Sequence, residues 1–228
     1  MYASTSTPDF VPLEDTERLD AHLSPYGFTS TLLAEMLADT SAVLVGGAVV
    51  HYLSTTPDPL PFQSNLDLLV YNPIPEDVSS YTHTLAFLSL VEERIMRSLT
   101  PLGYMCTSHP VGPLNDYVDV HEEFLTKGGI SLLTKWIIHA SSKRTINLLF
   151  TTHPIWSTIQ MFDVPLCRAA LWCFHIPGYE SGLRLQYDAV VCDDLTSHKL
   201  TAPSAERVSK STQTRIAKYM ERYGMEMR

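Results

Sequence analysis

Positive charge is scarce in this chain. Of its 228 residues only 16 are Lys or Arg, against 25 Asp or Glu, and the net charge is −9. A surface that wraps nucleic acid draws on clustered cations along the phosphate backbone, so this balance argues against extensive nucleic-acid binding. Cysteine is scarce too: Cys106, Cys167, Cys173 and Cys192 are dispersed, with no CxxC pair. That leaves neither a disulfide framework nor a zinc-finger spacing, and buried free thiols are the expectation. No apolar run is long enough to cross a bilayer. The opening MYASTSTPDF has neither a basic n-region nor an apolar h-region. The expectation is an intracellular protein, cytoplasmic or nuclear, that does not insert into membranes. Three signatures are also missing: the G-x-S-x-G elbow, the G-x-x-x-x-G-K-[ST] phosphate loop and the H-E-x-x-H metal helix.

What remains is a chain that can fold. Apolar residues make up 45% of it, enough for a substantial core. Fifteen prolines against ten glycines imply many turns and short elements. Residues 1–24 are polar and read as a loose N-terminal arm, with a single domain over 25–228. Leu32, Leu33, Met36 and Leu37 predict a helix with Ser30 as N-cap. Ala42–Val45 reads as a buried strand, stopped by Gly46 and Gly47, and Val49, Val50 and Leu53 follow on one helix face. Leu66–Tyr71 reads as the next strand, with Asp67 alone among apolar neighbours. A longer helix is expected over 80–99, stopped by Pro101. Ile130–Ile138 and Thr145–Phe150 predict an antiparallel hairpin. Pro154 is placed as the first residue of a helix. Residues 163–174 are open between helix and strand, 183–192 read as a strand, and 205–223 as a helix. The basic residues gathered toward the C-terminal end, Arg207, Lys210, Arg215, Lys218, Arg222 and Arg228, read as the solvated face of a helix.

The order Val43-Leu-Val-Gly46-Gly47, a short helix, then Ser64-Asn65-Leu66-Asp67-Leu68 resembles the nucleotidyltransferase superfamily, in which a glycine turn at a helix start precedes a strand with two alternating carboxylates. Arg144-Thr-Ile-Asn147-Leu-Leu-Phe150 falls where the strand with a third carboxylate would lie. Phe162–Arg168 and Lys218–Gly224 resemble segments of a poorly characterised fungal nucleotidyltransferase-like group. The resemblance implies an α/β (α+β) fold, a mixed sheet flanked by helices, with a core over about 30–160 and a C-terminal β and helical extension over 161–228. It also implies that Gly46 and Gly47 face a nucleotide triphosphate and that Asp67 is a catalytic carboxylate holding magnesium, with Asn65 and Asn147 lining the same site.

The departures matter as much as the match. Asn65 and Asn147 stand where the resemblance implies carboxylates. An asparagine oxygen is neutral, binds a hard cation more weakly and cannot take a proton as a base. Asp58, Asp116, Asp119, Glu122 and Glu123 are the candidates to replace the missing ligands. Three functions follow as expectations. One is a catalytically degenerate member that binds a nucleotide or a macromolecular partner. Another is an active magnesium-dependent enzyme moving a nucleoside monophosphate from an NTP to an acceptor. The last is a self-associating structural or protein-interaction module.

Overall fold

The computed structural model describes residues 9–54, 65–72, 80–106, 133–151, 153–174, 182–203 and 208–228. Its strands are β1 (Val11–Pro12), β2 (Ala42–Val45), β3 (Leu66–Tyr71), β4 (Tyr104–Cys106), β5 (Leu133–His139), β6 (Thr145–Thr151), β7 (Ala169–Phe174), β8 (Gly182–Tyr187), β9 (Lys199–Leu200) and β10 (Glu226–Met227). The helices are α1 (Thr16–Leu23), α2 (Ser30–Thr40), α3 (Gly47–Leu53), α4 (Ser80–Leu99), α5 (Ile155–Gln160), α6 (Ala189–Ser197) and α7 (Lys210–Tyr223).

Eight strands form one mixed sheet in the order β1-β8-β7-β2-β3-β6-β5-β4, and β9 and β10 form a small parallel pair. Within the large sheet only β3 and β6 run parallel. All four residues of β2 are buried, as expected of a central strand covered on both faces. Alternation divides the sheet. Ala42, Leu44, Leu66, Leu68, Val70, Ile146 and Leu148 join the larger core with residues of α1, α2 and α4. Val43, Val45, Leu69 and Ala170 form a second core under Ile155 and Ile159 of α5. On α4, Leu88, Val91, Ile95 and Leu99 recur at helical spacing and are all buried. Burying four such side chains stabilises by roughly 6–12 kcal/mol before the entropy of ordering is subtracted.

The fold corrects several sequence expectations. Residues 9–24, expected in a loose arm, are built into the domain. Val11 and Pro12 pair with β8, and Leu19, His22 and Leu23 are buried. The N-cap of α2 is Thr29, whose hydroxyl accepts from the Leu32 N–H, and Ser30 is the first helical residue. Pro154 is the cap of α5 with a non-helical ψ of 136°, one residue earlier than expected. The strand read over 183–192 ends at Tyr187. Asp188 then accepts from the Val190 N–H and starts α6, which buries Val191 and Asp194. The open segment 163–174 is a 3-10 turn at Pro165–Cys167 followed by β7. In the C-terminal part, β7 pairs with β2 and so continues the central sheet.

No helix among the described residues is long and apolar enough to cross a membrane. The four cysteines carry free thiols.

Candidate functional site

The strand β2 ends in a turn that only glycine makes comfortably. Gly46 has φ 71° and ψ −138°, a region that disfavours any residue with a Cβ. Its N–H donates to the Ala169 carbonyl at 3.2 Å, and its own carbonyl accepts from Val49 and Val50 at 3.0 and 3.1 Å. A Cβ there would also stand 3.4 Å from Asp67 Oδ2. Gly46→Ala is therefore expected to lower folding stability by about 2 kcal/mol in urea titrations. A variant as stable as the wild type would show that the turn relaxes without strain. At Gly47 the constraint is close approach: a Cβ there would stand 3.0 Å from the Tyr219 hydroxyl, which would have to shift.

Strand register brings two polar residues of one sheet face together. Asp67 on β3 pairs across to Val45 on β2 and to Asn147 on β6. Asn147 Nδ2 donates to Asp67 Oδ1 at 2.6 Å. Asn147 Oδ1 is buried and has no hydrogen-bond partner among the described residues. Burial pushes the Asp67 carboxyl up to about 6, against the opposing pull of the Asn147 hydrogen bond and of the Lys218 and Arg215 charges. Asn65 lies exposed just before β3 and takes no part in this pair.

The remaining charge comes from α7, whose Tyr219 hydroxyl lies against Gly47 just past the end of β2. Ser209 and Thr212 form a capping box that fixes its start. Asp163, buried after α5, accepts from Thr212 Oγ1 at 2.6 Å, from the Val164 N–H at 2.9 Å and from the Arg215 guanidinium. Further along, the Cys167 thiol donates to the Tyr219 hydroxyl at 3.2 Å, and burial pushes that thiol up to about 11. A thiol held in the protonated form is a packing group here, not a nucleophile. Anchored at these points, α7 brings Arg215 and Lys218 close enough to act on the Asp67 charge.

The described donors at this site do not by themselves supply the two-magnesium clamp that the resemblance implies. Among the described residues no three His, Cys, Asp or Glu side chains converge to hold a metal. Asp67 has a neutral amide beside it and cationic side chains near it, where a hard divalent ion wants further anionic oxygens.

No protein-family model matches the chain, and no curated protein does. Among solved structures it is similar to the Thermotoga maritima CCA-adding enzyme complexed with tRNA, with a TM-score of 0.53 and 15% identity over 94% of this chain. The fold is nucleotidyltransferase-like. At that identity the likeness is one of fold alone, and the chain spans 42% of that enzyme's length.

Set on this nucleotidyltransferase-like frame, the expected residues divide into three groups. Gly46, Gly47, Asp67 and Asn147 meet at one end of the sheet. Asn65 stands apart from them. Asp58, Asp116, Asp119, Glu122 and Glu123, the candidate replacement ligands, lie outside the described residues. Sequence reading missed Asp163, Arg215 and Lys218 as neighbours of the site. The spacing of Arg215, Lys218 and Arg222 was the signal that could have found the two cations, and no comparable signal marks Asp163. A groove of about 780 Å³ runs elsewhere, between α2 and the start of β8, lined by residues such as Thr31, Glu35, Leu183 and Arg184. Asp67, Asn147 and Lys218 are not part of it.

Proposed function

We propose that this chain is a catalytically degenerate nucleotidyltransferase-fold protein that binds a nucleotide without transferring it. The observation that carries the reading is the pairing of Asp67 with a neutral asparagine, Asn147 Nδ2 donating to Asp67 Oδ1 at 2.6 Å. A two-metal mechanism needs carboxylates that attract two divalent cations and hold them a few ångströms apart. Here the one described carboxylate at the site is shifted toward its protonated form, and its neighbours are an amide, a lysine and an arginine. Such a set can receive an anion, but by itself it lacks the anionic oxygens of the metal clamp. The glycine turn and the nucleotidyltransferase-like fold support a nucleotide as that anion.

The test is to incubate the protein with each of the four NTPs and magnesium, and to measure pyrophosphate release alongside nucleotide binding by calorimetry. The expected result is binding with no pyrophosphate above the protein-free control. Magnesium-dependent release that disappears in Asp67→Ala would establish an active transferase instead. If no NTP binds at millimolar concentration, with or without magnesium, the nucleotide reading fails and a protein partner or self-association takes its place.

A further inference from the structure

The cations of α7 are gathered on one side. Arg215, Lys218 and Arg222 follow at spacings of three and four, which places them along one face of the helix. Tyr219, next to Lys218, meets Gly47 through its hydroxyl, so this part of the helix is held against the β2–α3 turn. All three cationic residues are partly buried. Arg215 is committed to Asp163. Lys218 is not committed: it donates no hydrogen bond and joins no ion pair among the described residues. Its ammonium is held below the ordinary lysine range by burial first and by the Arg222 charge second, while Asp67 pulls the other way.

A partly buried ammonium without a hydrogen-bond acceptor is an uncommon arrangement, because such groups are normally paired when water is removed. A second unmet group belongs to the same end of the sheet. Asn147, on the strand beside Asp67, is 7% exposed and leaves Oδ1 without a donor among the described residues. Its amide nitrogen is already used by Asp67. The site thus offers an unused cation with a second cation next to it on the helix, together with an unused acceptor. In a molecule of net charge −9, positive groups collected at one place select for an anion. Lysine supplies a point charge and arginine a planar fork, and together they suit phosphate oxygens.

We propose that the end of the sheet between α7 and the Gly46–Gly47 turn binds a phosphate-bearing ligand without a divalent metal. Lys218 and Arg222 take the phosphate, and Asn147 Oδ1 accepts from a hydroxyl of the same ligand. The inference rests on the nucleotide-binding reading and deepens it: side-chain cations neutralise the phosphate where magnesium would otherwise do so. No bond is made or broken.

The experiment titrates inorganic pyrophosphate and ADP into the full chain by calorimetry in excess EDTA, for the wild type, Lys218→Gln and Lys218→Arg, with circular dichroism to show that each is folded. Both probes are expected to bind the wild type in EDTA and to bind Lys218→Gln at least tenfold more weakly. Lys218→Arg should stay within about threefold of wild type, because charge and not shape is the requirement. Adding magnesium should change affinity less than twofold. If ADP binds the wild type and Lys218→Gln equally in EDTA, this placement is overturned while nucleotide binding stands. If binding appears only with magnesium, the metal-free site is overturned. If neither probe binds under any condition, both readings fall.

Discussion

Replacing Asp163 with alanine should cost about 3–4 kcal/mol of folding stability, read from urea unfolding followed by circular dichroism. The carboxylate is 8% exposed and is the shared acceptor for three donors on two segments: the Val164 N–H, Thr212 Oγ1 and the Arg215 guanidinium. Removing it takes from the partly exposed Arg215 the carboxylate that accepts from its guanidinium, and breaking one side of a buried ion pair is the costly way to lose it. Asp163→Asn keeps an acceptor oxygen but loses the charge, so about half that loss is expected. The loss should fall on α7, whose first turn Thr212 helps to cap. A loss under about 1 kcal/mol in the alanine variant would mean that Tyr219 and Met225, both in the main core, hold the helix without this anchor.

The fold was most legible where a hydrophobic period was bounded by a strong stop. Ala42–Val45 before Gly46, Leu66–Tyr71, and α4 before Pro101 are found at the limits their patterns imply. Reading failed where a local polar group overrode the period. Leu183 and Leu185 alternate as a strand should, but Asp188 captures the Val190 N–H and turns the chain into α6 before the alternation has visibly ended. The N-terminal segment failed for another reason. Its polarity suggested an arm, yet Leu19 and Leu23, four apart on an otherwise polar helix, supply enough apolar surface to dock α1 into the core. The insertion of β7 between β8 and β2 is a non-local pairing, and no window of residues carries it.

The candidate site divides the same way. Gly46 and Asp67 were visible as a glycine and a charge set against apolar runs, and Asn147 only through the resemblance; strand register then brings Asp67 and Asn147 side by side. Asn65 looked equivalent to Asp67 by its spacing of two, but β3 begins after it, so it is not carried to Asn147. Lys218 and Arg215 could be seen on a helix face but not assigned a neighbour. Their position depends on Asp163 and Tyr219 docking α7 onto the end of the sheet, contacts that join residues far apart in sequence.

Asp67 itself is expected to work against the fold. Asp67→Asn should raise stability by about 2 kcal/mol at pH 8 and change it by less than about 0.5 kcal/mol at pH 4. Burial lifts the folded carboxyl from an ordinary 3.8 to about 6. Between those values the folded state binds more protons than the unfolded state, so stability declines as pH rises through that window. Well below 3.8 the group is protonated in both states and carries no penalty, while well above 6 the full cost of the buried charge is present. Asparagine removes the charge at every pH and still offers an oxygen to Asn147 Nδ2. The full shift would correspond to about 3 kcal/mol, and the half-buried setting of Asp67 lowers the expectation. Urea unfolding of both proteins at the two pH values measures the difference. A destabilised variant at pH 8 would show that attraction to Lys218 and Arg215 outweighs desolvation, making Asp67 part of the scaffold. A stabilised variant would mark Asp67 as a charge held at a cost to folding.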